Sequence, residues 1–290
     1  MQNYKNSATY QKNNLFILYF CTKDILNNYL KINIQTMDFF FRQYGQGTPI
    51  IILHGWLGVS DNWISIGKFL STQGFDVIIP DLPNHGKSFH TEEFSYKEMA
   101  EIVYGFCNIK DLEKPIIIGH SMGGKIAMEM MNIDKDYFKA LIVVDIHFKE
   151  YNTNNINSLL ASTLIQTNIS QFQNITQVKE HFITENIPSD LIGIILKNVD
   201  YSRNNLSWKS NIPVLAKDHP KVLERISVKE NNIPTLLLRG ENSNYVLDED
   251  IISFQEVFKN SQVKTIPNSG HWVLVDNPTM LIKEIVEFLK

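Results

Sequence analysis

The residues best placed to do chemistry lie in Gly119-His120-Ser121-Met122-Gly123-Gly124, which follows the apolar run Ile116-Ile117-Ile118 and opens an amphipathic stretch. A serine hydroxyl attacks an acyl carbon only when a turn lifts it clear and a neighbouring base takes its proton. A strand-to-helix reversal supplies the strained turn, and glycine at 119 and 123 removes side chains that would strike nearby backbone. A helix beginning at Ser121 also aims free N–H groups and the positive end of its dipole at the reacting centre. Serine is a favoured helix cap as well, but the strand before it and the partners elsewhere in the chain favour the nucleophile. A phosphate loop fits poorly: neither G-x-G-x-x-G nor G-K-[ST] is present, and Lys125 does not restore the spacing.

The base that suits Ser121 is His271, in Ile266-Pro267-Asn268-Ser269-Gly270-His271-Trp272, where a glycine frees its approach. A histidine on a loop this late in the chain can fold back over a sheet to reach the serine. The acid that must hold the imidazole tautomer is less plain. Arg239-Gly240-Glu241-Asn242-Ser243-Asn244 offers Asn and Ser where an Asp is expected, leaving Glu241 and the more distant Asp248. Val143-Val144-Asp145 instead puts a carboxylate at a strand's carboxyl edge, and Asp145 is the preferred candidate.

In His54-Gly55-Trp56-Leu57-Gly58, two glycines let the backbone fold close to the serine. The two oxyanion donors are expected to be the N–H groups of Met122 and Trp56, with Leu57 as competitor for the second. Trp56, Leu57 and Trp272 are expected to wall the substrate pocket. His54 and His85 read as loop braces, the latter within Asp81-Leu82-Pro83-Asn84-His85-Gly86-Lys87-Ser88, a turn-rich segment.

Such a constellation needs a rigid frame. Short β-rich runs at residues 50–53, 77–79, 116–118, 141–144, 235–238 and 263–266 read as strands buried on both faces of a parallel sheet. Amphipathic stretches at 61–70, 96–112, 122–131, 249–258 and 279–289 alternate with them. The pattern predicts an α/β fold, a doubly wound, mostly parallel sheet. Residues 37–42 read as a first strand. Residues 148–228 hold helical patches without a convincing buried strand, so they are expected to form a helical lid or cap. Tyr151, Phe182, Trp208 and Phe148 would line the pocket or form the lid's own core. The core is then 37–147 with 229–290.

With 43 % apolar and 20 % charged residues the chain has the composition of a globular protein, and its net charge of -4 leaves no basic excess for nucleic acid. Cys21 and Cys107 make no disulfide framework and fit a reducing, cytoplasmic setting. Residues 1–36 are Asn- and Lys-rich and carry one short apolar run, residues 15–20, far below the ~20 residues of a membrane span. They read as an extension outside the fold or a targeting segment.

Together, residues 119–125, Val144-Asp145-Ile146, Asp81 with Asn84-His85-Gly86-Lys87-Ser88, Asn242-Ser243 and Gly270-His271-Trp272 resemble the α/β-hydrolase superfamily, and within it the small YbfF-type esterases. The resemblance spans most of residues 38–290. It implies hydrolysis of short to medium acyl esters or thioesters, a strand-end acid at Asp145, and no metal or organic cofactor. The family's proline soon after that acid is replaced by Ile146-His147-Phe148, which bears on the lid entrance and substrate range. The same Ser/His pair would also suit a carbon–carbon bond hydrolase or lyase, and the fold a non-catalytic small-ligand receptor. The expected partner is a small acyl ester or thioester.

Overall fold

The structure is a computed structural model that describes residues 39–152, 156–201 and 205–290. The sequence expectations for residues 1–36, for Cys21, and for Met37 and Asp38 lie outside them. Seven strands form one sheet: β1 (Phe41–Tyr44), β2 (Thr48–Leu53), β3 (Phe75–Pro80), β4 (Ile116–His120), β5 (Ala140–Val144), β8 (Thr235–Gly240) and β9 (Ser261–Ile266). Their order is β1-β3-β2-β4-β5-β8-β9. Only β1 runs antiparallel to its neighbour, and the remaining pairs are parallel.

The apolar runs explain the burial. In a strand, successive side chains point to opposite faces, so a continuous run serves two layers at once. Ile51, Leu53, Ile117, Leu141 and Val143 pack towards α2 (Tyr96–Ile109) and α3 (Met122–Ile133). Ile50, Ile52, Ile118, Ile142 and Val144 pack on the other face, towards α1 (Ile64–Ser71) and α11 (Pro278–Leu289). The doubly wound, mostly parallel α/β reading therefore holds.

Two strand expectations need correction. The last strand is not buried on both faces: β9 is the sheet's edge, and of its six residues only Ile266 is buried. Its Lys264 and Thr265 are the sequence mark of that edge. The first strand begins at Phe41, later than expected. Phe39 stacks on Phe106 at 4.7 Å, and the Phe40 N–H goes to Ser88 Oγ at 3.0 Å rather than to a strand partner.

Between β5 and β8 lie α4 (Ile156–Gln166), α5 (Ile175–Thr184), α6 (Ser189–Lys197), a two-stranded ribbon of β6 (Val199–Asp200) and β7 (Ser207–Trp208), α7 (Ile212–Lys217) and α8 (His219–Leu223). Val178 and Phe182, both fully buried, pack inside this group. It is fastened to the loops after β2 and β3. Trp56 Nε1 donates to Leu215 O at 3.1 Å, Asn198 Nδ2 to Leu57 O at 2.9 Å, and Asn211 N to Asn84 O at 2.8 Å. Two further helices, α9 (Asp248–Val257) and α10 (Val273–Asp276), follow β8 and β9. Among the described residues no helix is long and apolar enough to cross a membrane.

Candidate active site

The turn from β4 into α3 holds Ser121 at φ 53° and ψ -122°, a conformation disfavoured for any residue with a Cβ. Its N–H donates to Val144 O at 3.1 Å, which anchors the turn to the neighbouring strand end. The flanking glycines are sterically required. A Cβ on Gly119 would sit 2.3 Å from Gly123 O, and one on Gly123 would sit 2.4 Å from Leu53 O.

Three side chains from distant parts of the chain meet above the sheet. His271 Nε2 lies 2.9 Å from Ser121 Oγ, and His271 Nδ1 lies 2.8 Å from Asp145 Oδ2. A carboxylate only accepts, so Nδ1 carries the proton and the Nε2 lone pair faces the serine hydroxyl. Asp145 leaves β5 at φ 50° and is fully buried. Its carboxylate also accepts the Gly240 N–H at 2.9 Å and the Ser243 hydroxyl. The other two carboxylates are engaged elsewhere. Glu241 accepts the Asn268 N–H at 2.8 Å, and Asp248 is paired with Arg239 on the surface.

The loop after β2 approaches the serine closely: a Cβ on Gly55 would lie 3.2 Å from Ser121 Cβ. Leu57, at φ 58°, donates its N–H to His85 Nε2 at 3.2 Å. That group is therefore occupied, which leaves Trp56 as the donor of the pair to consider. His85 in turn donates from Nδ1 to Pro83 O at 2.9 Å, and His54 accepts the Leu82 N–H at 2.9 Å. Burial pushes His54 down to about 4 and His85 down to about 3, so both are neutral near pH 7 and act as braces. Buried Asp81 ties the same loops together by accepting from Ser60 N at 2.6 Å and Lys87 N at 2.9 Å.

A cavity of about 480 Å³ opens onto Ser121 and His271. Trp56, Leu57 and Trp272 all line it, whereas Phe148, Tyr151, Phe182 and Trp208 do not. Those four aromatic residues belong to or pack on the hydrophobic core instead.

Several contributors escaped the sequence reading. Tyr245 stacks on the His271 ring at 3.6 Å and 14°, and its hydroxyl accepts from Asn157 Nδ2 at 2.8 Å. Burial pushes that phenol up to about 12, so it stays neutral. His120, pushed down to about 3 by burial, donates from Nε2 to His271 O at 2.8 Å and fixes the loop that carries the imidazole. Ser243 had a faint signal: a hydroxyl where an acid was expected suits a loop that serves an acid from elsewhere. Ile146-His147-Phe148, which replaces the expected proline, also has a use. The His147 N–H donates to the Tyr151 hydroxyl at 2.7 Å, and that hydroxyl donates to Tyr245 O at 3.0 Å. Lys125 is fully buried, with its ammonium on the carbonyls of Leu223 and Glu224 at the end of α8.

Known proteins resemble this chain in sequence and in shape. The family model described as alpha/beta hydrolase fold matches residues 48–278. A putative esterase/lipase of Haemophilus influenzae is 31 % identical over 267 residues, covering 91 % of this chain and 92 % of that protein. Esterase YbfF of Escherichia coli is 25 % identical over 263 residues, covering 90 % and 99 %. The solved structure of a marine microorganism esterase matches with a TM-score of 0.82 at 34 % identity, covering 87 % of this chain and 100 % of that one.

Proposed function

The chain belongs to the alpha/beta hydrolase fold family, as a carboxylic-ester hydrolase resembling YbfF-type esterases, and on that premise we propose that it is a serine esterase. Its substrates are short- to medium-chain acyl esters or thioesters, cleaved through an acyl-enzyme intermediate. The observation that carries this reading is the unbroken line from Ser121 Oγ to His271 to Asp145, at 2.9 and 2.8 Å.

In the first step Ser121 Oγ bonds to the acyl carbon while His271 Nε2 takes its proton. Asp145 does not accept a proton; it holds the ring by Nδ1 and stabilises the imidazolium. The carbonyl oxygen gains charge and is met by the N–H groups of Met122 and Trp56. As the tetrahedral centre collapses, the bond to the alcohol or thiol breaks, and that group leaves with the proton from His271. Water then gives a proton to Nε2 and attacks the acyl carbon, which restores the serine and releases the acid. Residues 148–228 act as a lid over the cavity in this reading, supported by the hydrogen bonds that tie them to the loops after β2 and β3.

The test uses p-nitrophenyl acetate and butyrate, with Ser121→Ala as control, and labelling by a fluorophosphonate. Turnover in the parent protein, loss of at least ~10⁴ in the variant, and labelling confined to the parent are expected. Equal rates from the two proteins would end the esterase reading.

A further inference from the structure

Helix α6 carries a glycine in its interior, Gly193, that its own fold does not require. Glycine weakens a helix relative to alanine, because its backbone gives up more freedom on folding. A positive φ or a close backbone contact usually explains such a residue. Gly193 shows neither: it does not have positive φ, and an added Cβ would meet nothing within 4 Å. The contrast with Gly119 and Gly123, where a Cβ would lie 2.3 and 2.4 Å from backbone, is complete.

The space beside Gly193 leads somewhere. Gly193 lines the cavity that holds Ser121 and His271, and it also lines a neighbouring groove of about 640 Å³. On the serine side the walls are Leu160 of α4 with Leu191 and Ile194 of α6. Beyond the glycine, which is itself exposed, Ile175, Leu196 and Leu206 share the groove with the polar residues Asp61, Gln173, Asn174, Lys197 and Lys209. Apolar side chains thus stand on either side of a position that has no side chain, with Lys197 bordering both cavities.

We infer that Gly193 is a saddle over which the hydrocarbon arm of the acyl group passes, so that residue 193 sets the acyl length the enzyme accepts. The substrate class is esters of straight-chain acids long enough to reach the second groove. A straight hydrocarbon finds Leu160, Leu191 and Ile194 on one side of the saddle and Ile175, Leu196 and Leu206 on the other. This inference rests on the serine-esterase reading of the same cavity and deepens it.

The experiment measures kcat/KM for p-nitrophenyl esters from acetate to decanoate in the parent protein, Gly193→Ala and Gly193→Leu. Each buried methylene is worth about fourfold, so blocking two or more lowers the decanoate-to-acetate ratio at least tenfold in Gly193→Leu. Gly193→Ala, blocking one, lowers it about fourfold on the same basis, while its Tm rises by about 2 °C as the helix gains propensity. Should leucine prevent folding, the alanine ratio decides. Ratios within twofold of the parent in every folded variant overturn the saddle. A second readout needs no turnover: decanoate raises the Tm of Ser121→Ala, and that rise disappears when Gly193→Leu is added. A rise that persists also overturns the saddle. Absence of Ser121-dependent turnover with a decanoate effect that depends on residue 193 would sink the esterase reading alone.

Discussion

The elbow beneath Ser121 and the helices between β5 and β8 treat space in opposite ways. Around the elbow, strands β4 and β5 are buried throughout, Asp145 is fully buried, and the turn glycines have no room for a methyl group. In the helices, Leu159, Ile165 and Ile183 remain 45 %, 59 % and 53 % exposed, and Gly193 has open space beside it. Reacting atoms must be held within about half an ångström by packing that allows no alternative. A surface that accommodates a substrate needs room and tolerates adjustment. On the proposed mechanism the chemistry falls to the over-determined region and the selection of substrate to the looser one.

The comparison breaks most visibly if the carboxylates prove interchangeable. Asp145→Asn removes the group that fixes the His271 tautomer, and kcat for p-nitrophenyl butyrate should fall by about 10³–10⁴. Glu241→Gln loses only a charge on the Asn268 N–H and should stay within about threefold, as surface changes away from a site usually do. Side-by-side kinetics decide the matter, and comparable losses in both variants would remove Asp145 from its role.

A smaller but sharper contrast comes from one methyl group placed in each region. In Gly123→Ala the new Cβ would lie 2.4 Å from Leu53 O and 2.6 Å from His54 O, so the elbow has to shift. A displacement near 1 Å at the reacting centre costs about 10² in rate, and Tm should fall with it. Gly193→Ala should instead raise Tm. Calorimetry of the two variants should show shifts of opposite sign.

Much of this division was legible in the sequence, for physical reasons. Buried parallel strands write themselves as continuous apolar runs, so Ile50-Ile51-Ile52-Leu53 and Ile116-Ile117-Ile118 announced the centre of the sheet. The elbow was legible because its glycines answer a local backbone demand. The position of Asp145 was legible because a charged residue closing an apolar strand marks the rim where the sheet meets polar groups. Edge strand β9 was legible only through Lys264 and Thr265, since the rest of its exposure depends on where the sheet stops. Tyr245 stacking on His271, and the two grooves that meet at Gly193, depend on contacts between distant segments and leave no local pattern.

Acid titration separates the regions further. His120 beneath the elbow is pushed down to about 3 and His219 in α8 to about 4, chiefly by burial. Between those values and the ordinary 6.5, the unfolded chain takes up protons that the folded protein refuses. The stability these two histidines contribute is therefore full above pH 6.5 and drains away as pH falls towards 4. His120→Asn should flatten this loss, and it should also slow turnover because the His271 carbonyl loses its partner. His219→Asn should flatten it with less effect on turnover. Tm measured from pH 7.5 to 4.5, with rates from the same preparations, shows whether the two histidines differ in that way.

Lys125 gives the smallest expected effect and the one that tests how the regions are joined. It starts from α3, directly behind the elbow, and its ammonium reaches the carbonyls of Leu223 and Glu224 where the helices rejoin the core. Burial pushes the amine down from 10.5 to about 7, although the charge of Glu224 works against the shift. Between pH 7 and 10.5 the folded protein thus holds fewer protons than the unfolded chain, so stability rises with pH across that window and is lost as pH falls back towards 7. Lys125→Met has no such titration. The parent should gain Tm relative to the variant as pH climbs from 7 to 9, by a few degrees. A difference that stays flat would mean that the amine remains charged throughout, held as an ordinary ion at the end of α8 rather than as a desolvated clasp between elbow and helices.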